Sequence, residues 1–159
     1  RDFHAAAIPF MFDPGQGLPM FDGGQLLDFL RMASYCTVND YEAQLLVDRT
    51  GRTLEALADL VEALVVTLGA NGADLYTGGA RLHVPSVEAD ELVDPTGCGD
   101  AFRAGLLYGI ARGFDWVRSV RLGALMGSIK IAHRGGQNHA PTREEIGARY
   151  ARAFGEPLE

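Results

Sequence analysis

Apolar and polar positions along this chain follow two periods, and the switches between them mark its elements. Ile8-Pro9-Phe10-Met11-Phe12 is a short apolar run closed by Asp13-Pro14-Gly15-Gln16-Gly17, which predicts a buried strand and a loop. Ahead of it, Arg1 to Ala7 reads as the tail of a helix. Gly23 to Ala33 sets Leu26, Leu27, Leu30 and Ala33 on one side and predicts a helix, and Ser34 to Val38 a short strand. Asn39 followed three residues later by Glu42 fits a capping box that opens a helix, which Gly51 stops. Thr53 caps the next helix, with Leu54, Leu57, Ala58 and Val61 on one face. Leu64-Val65-Val66-Thr67-Leu68 is β-branched and apolar, a buried strand, and Gly69-Ala70-Asn71-Gly72-Ala73 follows as a turn.

Asp74 to Thr77 and Ala80 to Val84, joined by Gly78-Gly79, predict a hairpin. Ala101 to Arg112 is a helix with a small-residue stripe, Ala101, Gly105 and Gly109, beside an apolar one, Phe102, Leu106 and Ile110. Two such faces predict an enclosed helix approached closely by another backbone. Asp115 to Ala132 predicts a long helix with Val117, Val120, Ala124 and Ile131 inward and Leu122, Leu125 and Ile129 on a neighbouring face, so it too is largely enclosed. Arg134 to Pro141 is a polar glycine loop. Thr142 to Glu145 caps a last amphipathic helix, with Ile146, Tyr150 and Ala153 inward. Strands alternating with helices indicate an α/β fold with a mostly parallel sheet, to which the hairpin adds antiparallel strands. In such sheets ligands collect beyond the C-terminal strand ends, where Asp13, Asn39, Gly69 and the Gly97 loop fall.

Composition narrows the partners. With 159 residues the chain fits one domain, 1–159, and its net charge of −7, without a block of Lys or Arg, argues against nucleic acid or acidic membrane surfaces. No apolar run approaches the roughly 20 residues that span a bilayer. Cys36 and Cys98 form no metal-ligand spacing, which fits a reducing, cytoplasmic setting.

The candidate chemistry centres on Asp94-Pro95-Thr96-Gly97-Cys98-Gly99-Asp100-Ala101-Phe102-Arg103-Ala104-Gly105, a glycine turn that opens a helix. Amides at a helix start point outward unpaired, the dipole there favours negative charge, and glycines let an anion approach. Asp100 beside such a site is placed to take a proton from a nucleophile, and it is equally placed to cap the helix. A phosphoryl transferase needs phosphate donors, charge neutralisation and an in-line acceptor. Thr67, Gly69 and Gly72 suit phosphate or ribose, or form a plain turn. The amides of Gly97, Cys98 and Gly99 suit the transferring group. Asn39 and Glu42 can hold Mg²⁺ through water, or serve only as a cap. Neither a Walker lysine pattern nor Gly-x-Gly-x-x-Gly is present. His4 and His83 read as surface or edge residues, whereas His133 and His139 flank the Gly135-Gly136 loop, within reach of a ligand there. Cys98 has no base partner in the motif and reads as a small packing residue.

Asp94 to Leu107 resembles the second signature of the ribokinase-like (PfkB) carbohydrate kinases, Asp-Thr-x-Gly-Ala-Gly-Asp-x-Phe-x-x-Gly, with Cys98 in place of the small Ala or Gly. Asn39-Asp40-Tyr41-Glu42 is similar to the family's Asn-x-x-Glu element, and Thr67 to Gly72 to its Thr-x-Gly-x-x-Gly nucleotide segment. The order and rough spacing match, and the resemblance covers nearly the whole chain. Phe12 to Gln16 and Gly136-Gln137-Asn138-His139 look most like the adenosine- or nucleoside-kinase branch. The resemblance implies the C-terminal part of a three-layer sandwich with helices on both faces of the sheet. It implies ATP-dependent phosphorylation of a primary hydroxyl on a sugar or nucleoside, with Asp100 as base and Gly97 to Gly99 as anion hole. It places nucleotide contacts at Thr67, Gly69, Gly72, Asn39, Glu42, Gly135, Gly136 and Asn138. Mg²⁺ falls near Asn39 and Glu42, and a monovalent cation, typically K⁺, near Asp94, Thr96 and the Gly135-Gly136 loop.

Family members are roughly twice as long, and the N-terminal half that supplies most acceptor contacts and the lid is not in these residues. Two expectations follow: little kinase activity from these residues alone, and a sheet edge that promotes self-association. Two other readings stay open, a non-catalytic nucleotide- or partner-binding module of the same fold, and a phosphomethylpyrimidine- or pyridoxal-type kinase of the same superfamily.

Overall fold

The computed structural model describes residues 2–159. They divide into two compact units, one running up to Gly69 and including Ala73–His83, the other formed by Ala70–Gly72 and Val84–Glu159.

In the first unit β1 (Met11–Phe12), β2 (Tyr35–Asn39), β3 (Ala63–Thr67), β4 (Ala73–Thr77) and β5 (Ala80–Val84) form one sheet in chain order. β1 and β2 run parallel, as do β2 and β3, while β3 and β4 are antiparallel, so the sheet is mixed. The parallel pairs are bridged by α2 (Gly23–Met32) and by α3 (Asp40–Thr50) with α4 (Leu54–Ala58). Each helix begins where a short polar side chain meets an orphan amide. Asp22 and Gln25 form a capping box, Asn39 and Glu42 another, and Thr53 caps Ala56. Leu18, Leu26, Leu30, Leu46, Leu57 and Leu64 are fully buried in one core against this sheet. Each contributes about 1.5–3 kcal/mol of transfer free energy. Cys36 is buried with them, and burial pushes its thiol far up.

Two readings shift here. The helix tail appears as α1 (Asp2–Ala5), with Arg1 outside the described residues. The run from Ile8 forms a strand only at Met11–Phe12, both half-buried, and Ile8 is exposed. Pro9 lacks an amide and cannot join a ladder from the donor side, which shortens this edge strand. The hairpin turn holds Gly78 at φ 57° and Gly79 at φ 75°, the double left-handed geometry of a tight two-residue turn. β4 also carries a buried carboxylate the pattern did not announce. Asp74 accepts from Arg81 Nη2 at 2.7 Å and lies 2.9 Å from His83 Nδ1. Burial alone would raise Asp74, but the bonds to His83 and Arg81 outweigh it and hold the carboxyl below its usual range. His83 is therefore half of a pairing and not a bystander on the edge.

In the second unit α5 (Cys98–Ala111), α6 (Trp116–Ile131) and α7 (Arg143–Phe154) pack together. Leu122, Leu125, Ile129, Tyr150 and Leu158 form its core. On α7 Phe154 packs its ring, tilted, against Tyr150 at 4.7 Å between centroids and takes the inward place expected of Ala153, which is exposed. α5 is enclosed along Ala101, Phe102, Gly105, Leu106 and Gly109 but leaves Leu107 and Tyr108 partly open, so one face stays outside the core. Its small residues have the expected cause. A Cβ on Gly105 would lie 2.8 Å from the Leu122 carbonyl oxygen, and one on Gly123 of α6 would lie 2.9 Å from that of Phe102. Each helix's glycines admit the other's backbone. Gly105→Ala is accordingly expected to cost about 1–3 kcal/mol. Urea unfolding reads this as a lower midpoint at unchanged slope, and an unchanged midpoint would refute the close approach.

Candidate active site

Asp94 organises the glycine turn. Its Oδ1 accepts from the Thr96 amide at 2.9 Å and its Oδ2 from the Gly135 amide at 2.7 Å. The Gly135 bond first, then those to Thr96, hold the carboxyl down at about 2. The amides of Val93 and Asp94 both donate to the Ile131 carbonyl, at 2.9 and 3.0 Å, which fixes the entry to the turn against the end of α6.

Gly97 then takes φ 80°, ψ 6° as N-cap of α5, a left-handed conformation that a side chain would strain, and no side chain caps the helix. A Cβ at Gly97 would also lie 3.0 Å from Gly136 Cα, so the two glycine turns meet backbone to backbone. The Cys98 amide bonds back to Pro95 O at 3.1 Å and the Ala101 amide to Gly97 O at 3.0 Å. Of the donors at this helix start, these bonds occupy the Cys98 amide and leave those of Gly97, Gly99 and Asp100 for a ligand. Within the expected trio of Gly97, Cys98 and Gly99, the Cys98 amide is the one already engaged within the turn. Burial raises the Cys98 thiol and Asp94 adds to this, against the pull of Lys130, which suits a packing residue.

The Asp100 side chain is 78% exposed, and its Oδ1 accepts from Arg103 Nη2 at 2.6 Å. Arg103 lies one turn on and arches over Gly99, where an added Cβ would stand 3.1 Å from its Nη1. An anion at this helix start meets the free amides, the helix dipole and a guanidinium, with a solvent-facing carboxylate alongside.

The Gly135-Gly136 loop is held by its own bonds. Gly135 has φ 77°, Asn138 Nδ2 donates to Arg134 O at 2.9 Å, and His133 Nδ1 lies 3.0 Å from Ile129 O. Asn138 is thereby engaged within the loop. The His133 and His139 rings stand 6.4 Å apart. Burial first, then the charges of His133 and Lys130, push His139 down.

In the first unit Asn39 and Thr67 end neighbouring parallel strands and are paired in register. Asn39 Oδ1 accepts from the Glu42 amide and Glu42 Oε2 from the Asn39 amide, both at 2.8 Å, so the capping box is real. It occupies one oxygen of Glu42 and leaves the other to bind water. Thr67 Oγ1 donates to Val38 O at 3.4 Å, and Gly69 is exposed at φ 59°. Gly72 belongs to the second unit and is buried, and a Cβ there would sit 2.2 Å from Val84 O. Its glycine has a packing reason independent of any ligand.

Two residues of the site escaped the sequence pattern. Arg103 sits inside the motif but was read only as spacing. Lys130 is fully buried, and its Nζ donates to Asp94 O at 2.7 Å and to His133 O at 2.9 Å. A lone lysine between Ile129 and Ile131, in the last turn of an apolar helix, was the available signal.

Residues 5–143 match the model of the pfkB family carbohydrate kinases, and the chain belongs to that family. Its fold is the ribokinase-like α/β fold. It superposes on a nucleoside kinase of Burkholderia thailandensis, determined in complex with inosine, with a TM-score of 0.96 and 51% identity, covering 98% of this chain and 51% of that one. A nucleoside kinase of Methanocaldococcus jannaschii is 30% identical over 135 residues, 85% of this chain and 45% of its own length. A ribokinase of Lactococcus lactis is 28% identical over 123 residues, 77% of this chain and 40% of its own length. The chain thus spans about half the length of the relatives it matches. Among the described residues, no helix is long and apolar enough to cross a membrane.

Asp94 makes the site acid-sensitive in a defined sense. Its folded value of about 2 lies below the roughly 3.9 of an unfolded Asp. The stability it contributes is therefore complete above the unfolded value and is lost as pH falls from there through the folded one. Asp94→Asn should be less stable than the parent near neutral pH, with the gap closing toward about pH 2. Denaturation midpoints at the two ends check this, and a gap independent of pH would refute it.

Proposed function

We propose that this chain is the nucleotide-binding, catalytic C-terminal portion of an ATP-dependent nucleoside kinase. The observation that carries the proposal is the uncapped start of α5, where the Gly99 and Asp100 amides and Arg103 gather around an exposed carboxylate. Asp100 takes the proton of a primary hydroxyl while that oxygen bonds to the γ-phosphorus. The bond from phosphorus to the β–γ bridging oxygen breaks, and ADP leaves. The first-turn amides and the α5 dipole stabilise the charge on the transferring group, and Arg103 positions Asp100. Thr67 and Gly69 serve the nucleotide phosphates or ribose, and Gly136, which no added Cβ would crowd, gives a ligand room at its loop. The residues at the β2 end fit Mg²⁺ held through water. Asn39 and the second Glu42 oxygen would hold it, and it would supply charge neutralisation for the phosphates. The nucleoside acceptor is supported by the Burkholderia thailandensis nucleoside kinase, 51% identical to this chain and determined in complex with ADP-inosine.

Asp100→Asn, made in a kinase completed by an N-terminal half, should lower kcat by roughly 10²–10⁴-fold while nucleotide binding persists. Retained turnover would remove Asp100 as base and favour a module that only binds. The acceptor pocket is assigned to that N-terminal half. The 159-residue chain alone, given ATP, Mg²⁺, K⁺ and adenosine or inosine, should therefore show little turnover by ADP release. Robust turnover would place the acceptor site within these residues.

A further inference from the structure

Lys130 raises a question the kinase reading does not answer. Its side chain is wholly enclosed at the end of α6, where an ammonium is costly unless its charge and its N–H groups are met. Two of its three N–H groups are met by backbone carbonyls, and the Asp94 carboxylate lies within electrostatic reach of its charge. Asp94 O, at 2.7 Å, lies at the entry to the glycine turn, and His133 O, at 2.9 Å, opens the Gly135-Gly136 loop. These are the segments where the family resemblance implies a monovalent cation, beside Asp94, Thr96 and that loop. The donor set does not fit a free ion. The two carbonyls already face an ammonium, both oxygens of the Asp94 carboxylate accept backbone amides, and a second positive charge would be repelled.

We infer that the Lys130 ammonium is the built-in cation of this junction and that no added K⁺ is needed to order it. Held on α6, it draws together the entry to the turn and the loop that Gly97 packs against. Because it is part of the chain, its occupancy does not vary with the salt outside. The inference rests on loop geometry and is read through stability, so it stands or falls independently of kinase activity.

The test is the thermal midpoint of the 159-residue chain in KCl, NaCl and choline chloride at matched ionic strength, together with Lys130→Met. Met keeps the length and apolar stem but removes the charge and leaves the carbonyls unpaired. The wild-type midpoint should be the same in all three salts, and Lys130→Met should fall by on the order of 10 °C. A wild-type midpoint that rises saturably with K⁺ but not with choline would overturn the inference, because a separate ion site would then exist. So would a Met variant that melts with the wild type. Should Lys130→Met fail to fold, the wild-type comparison alone decides.

Discussion

The second unit depends on how Asp94 spends its acceptors. One carboxylate oxygen holds Thr96, the other holds Gly135, and its carbonyl takes the Lys130 ammonium. Three parts of the chain, the approach to the turn, the loop after α6 and the end of α6 itself, are tied at a single residue. Gly97 can hold its left-handed geometry because both sides of the turn are anchored in this way. The α5 amides are oriented before any ligand arrives, which is the form of preorganisation that electrostatic catalysis requires.

The helices behind the turn supply the rigidity. Gly105 and Gly123 bring α5 and α6 to backbone contact, so the start of α5 is referenced to α6 by main chain and not by flexible side chains. Lys130 and Ile131 close the far end of α6 onto residues 93 and 94. The turn, α5 and α6 thus form a closed circuit of backbone contacts within one unit. In the other unit, β2 and β3 hold Asn39 and Thr67 side by side through their ladder register, again with the backbone setting the position.

Much of this was legible in the sequence, for a physical reason. Asn39 with Glu42 and Thr142 with Glu145 are local devices, and both capping boxes form as their spacing demands. The glycine stripe on α5 was legible as closeness because only a missing Cβ permits it. What stayed hidden depends on partners distant in sequence. Asp74 looked like an ordinary strand residue because Arg81 and His83, which satisfy it, reach back across a hairpin. Lys130 went unread because its acceptor at Asp94 lies 36 residues away. Gly72 stayed open between a ligand position and a plain turn because a glycine facing a phosphate and a glycine facing another backbone leave the same mark on a sequence. At Cys98, spacing alone assigned an amide that Pro95 already uses.

The contact between Gly97 and Gly136 has a consequence for how such a chain can drift. The site there is written largely in main chain, and the contact depends on what Gly97 lacks. Cys98, between two glycines, carries a sulfur without disturbing the bonds on either side, whereas one carbon added at Gly97 would meet both an unfavourable φ and a neighbouring backbone 3.0 Å away. Heritable variation is therefore partitioned unevenly over adjacent codons. The position of Cys98 admits a side chain, while at Gly97 the turn can hardly gain a single atom.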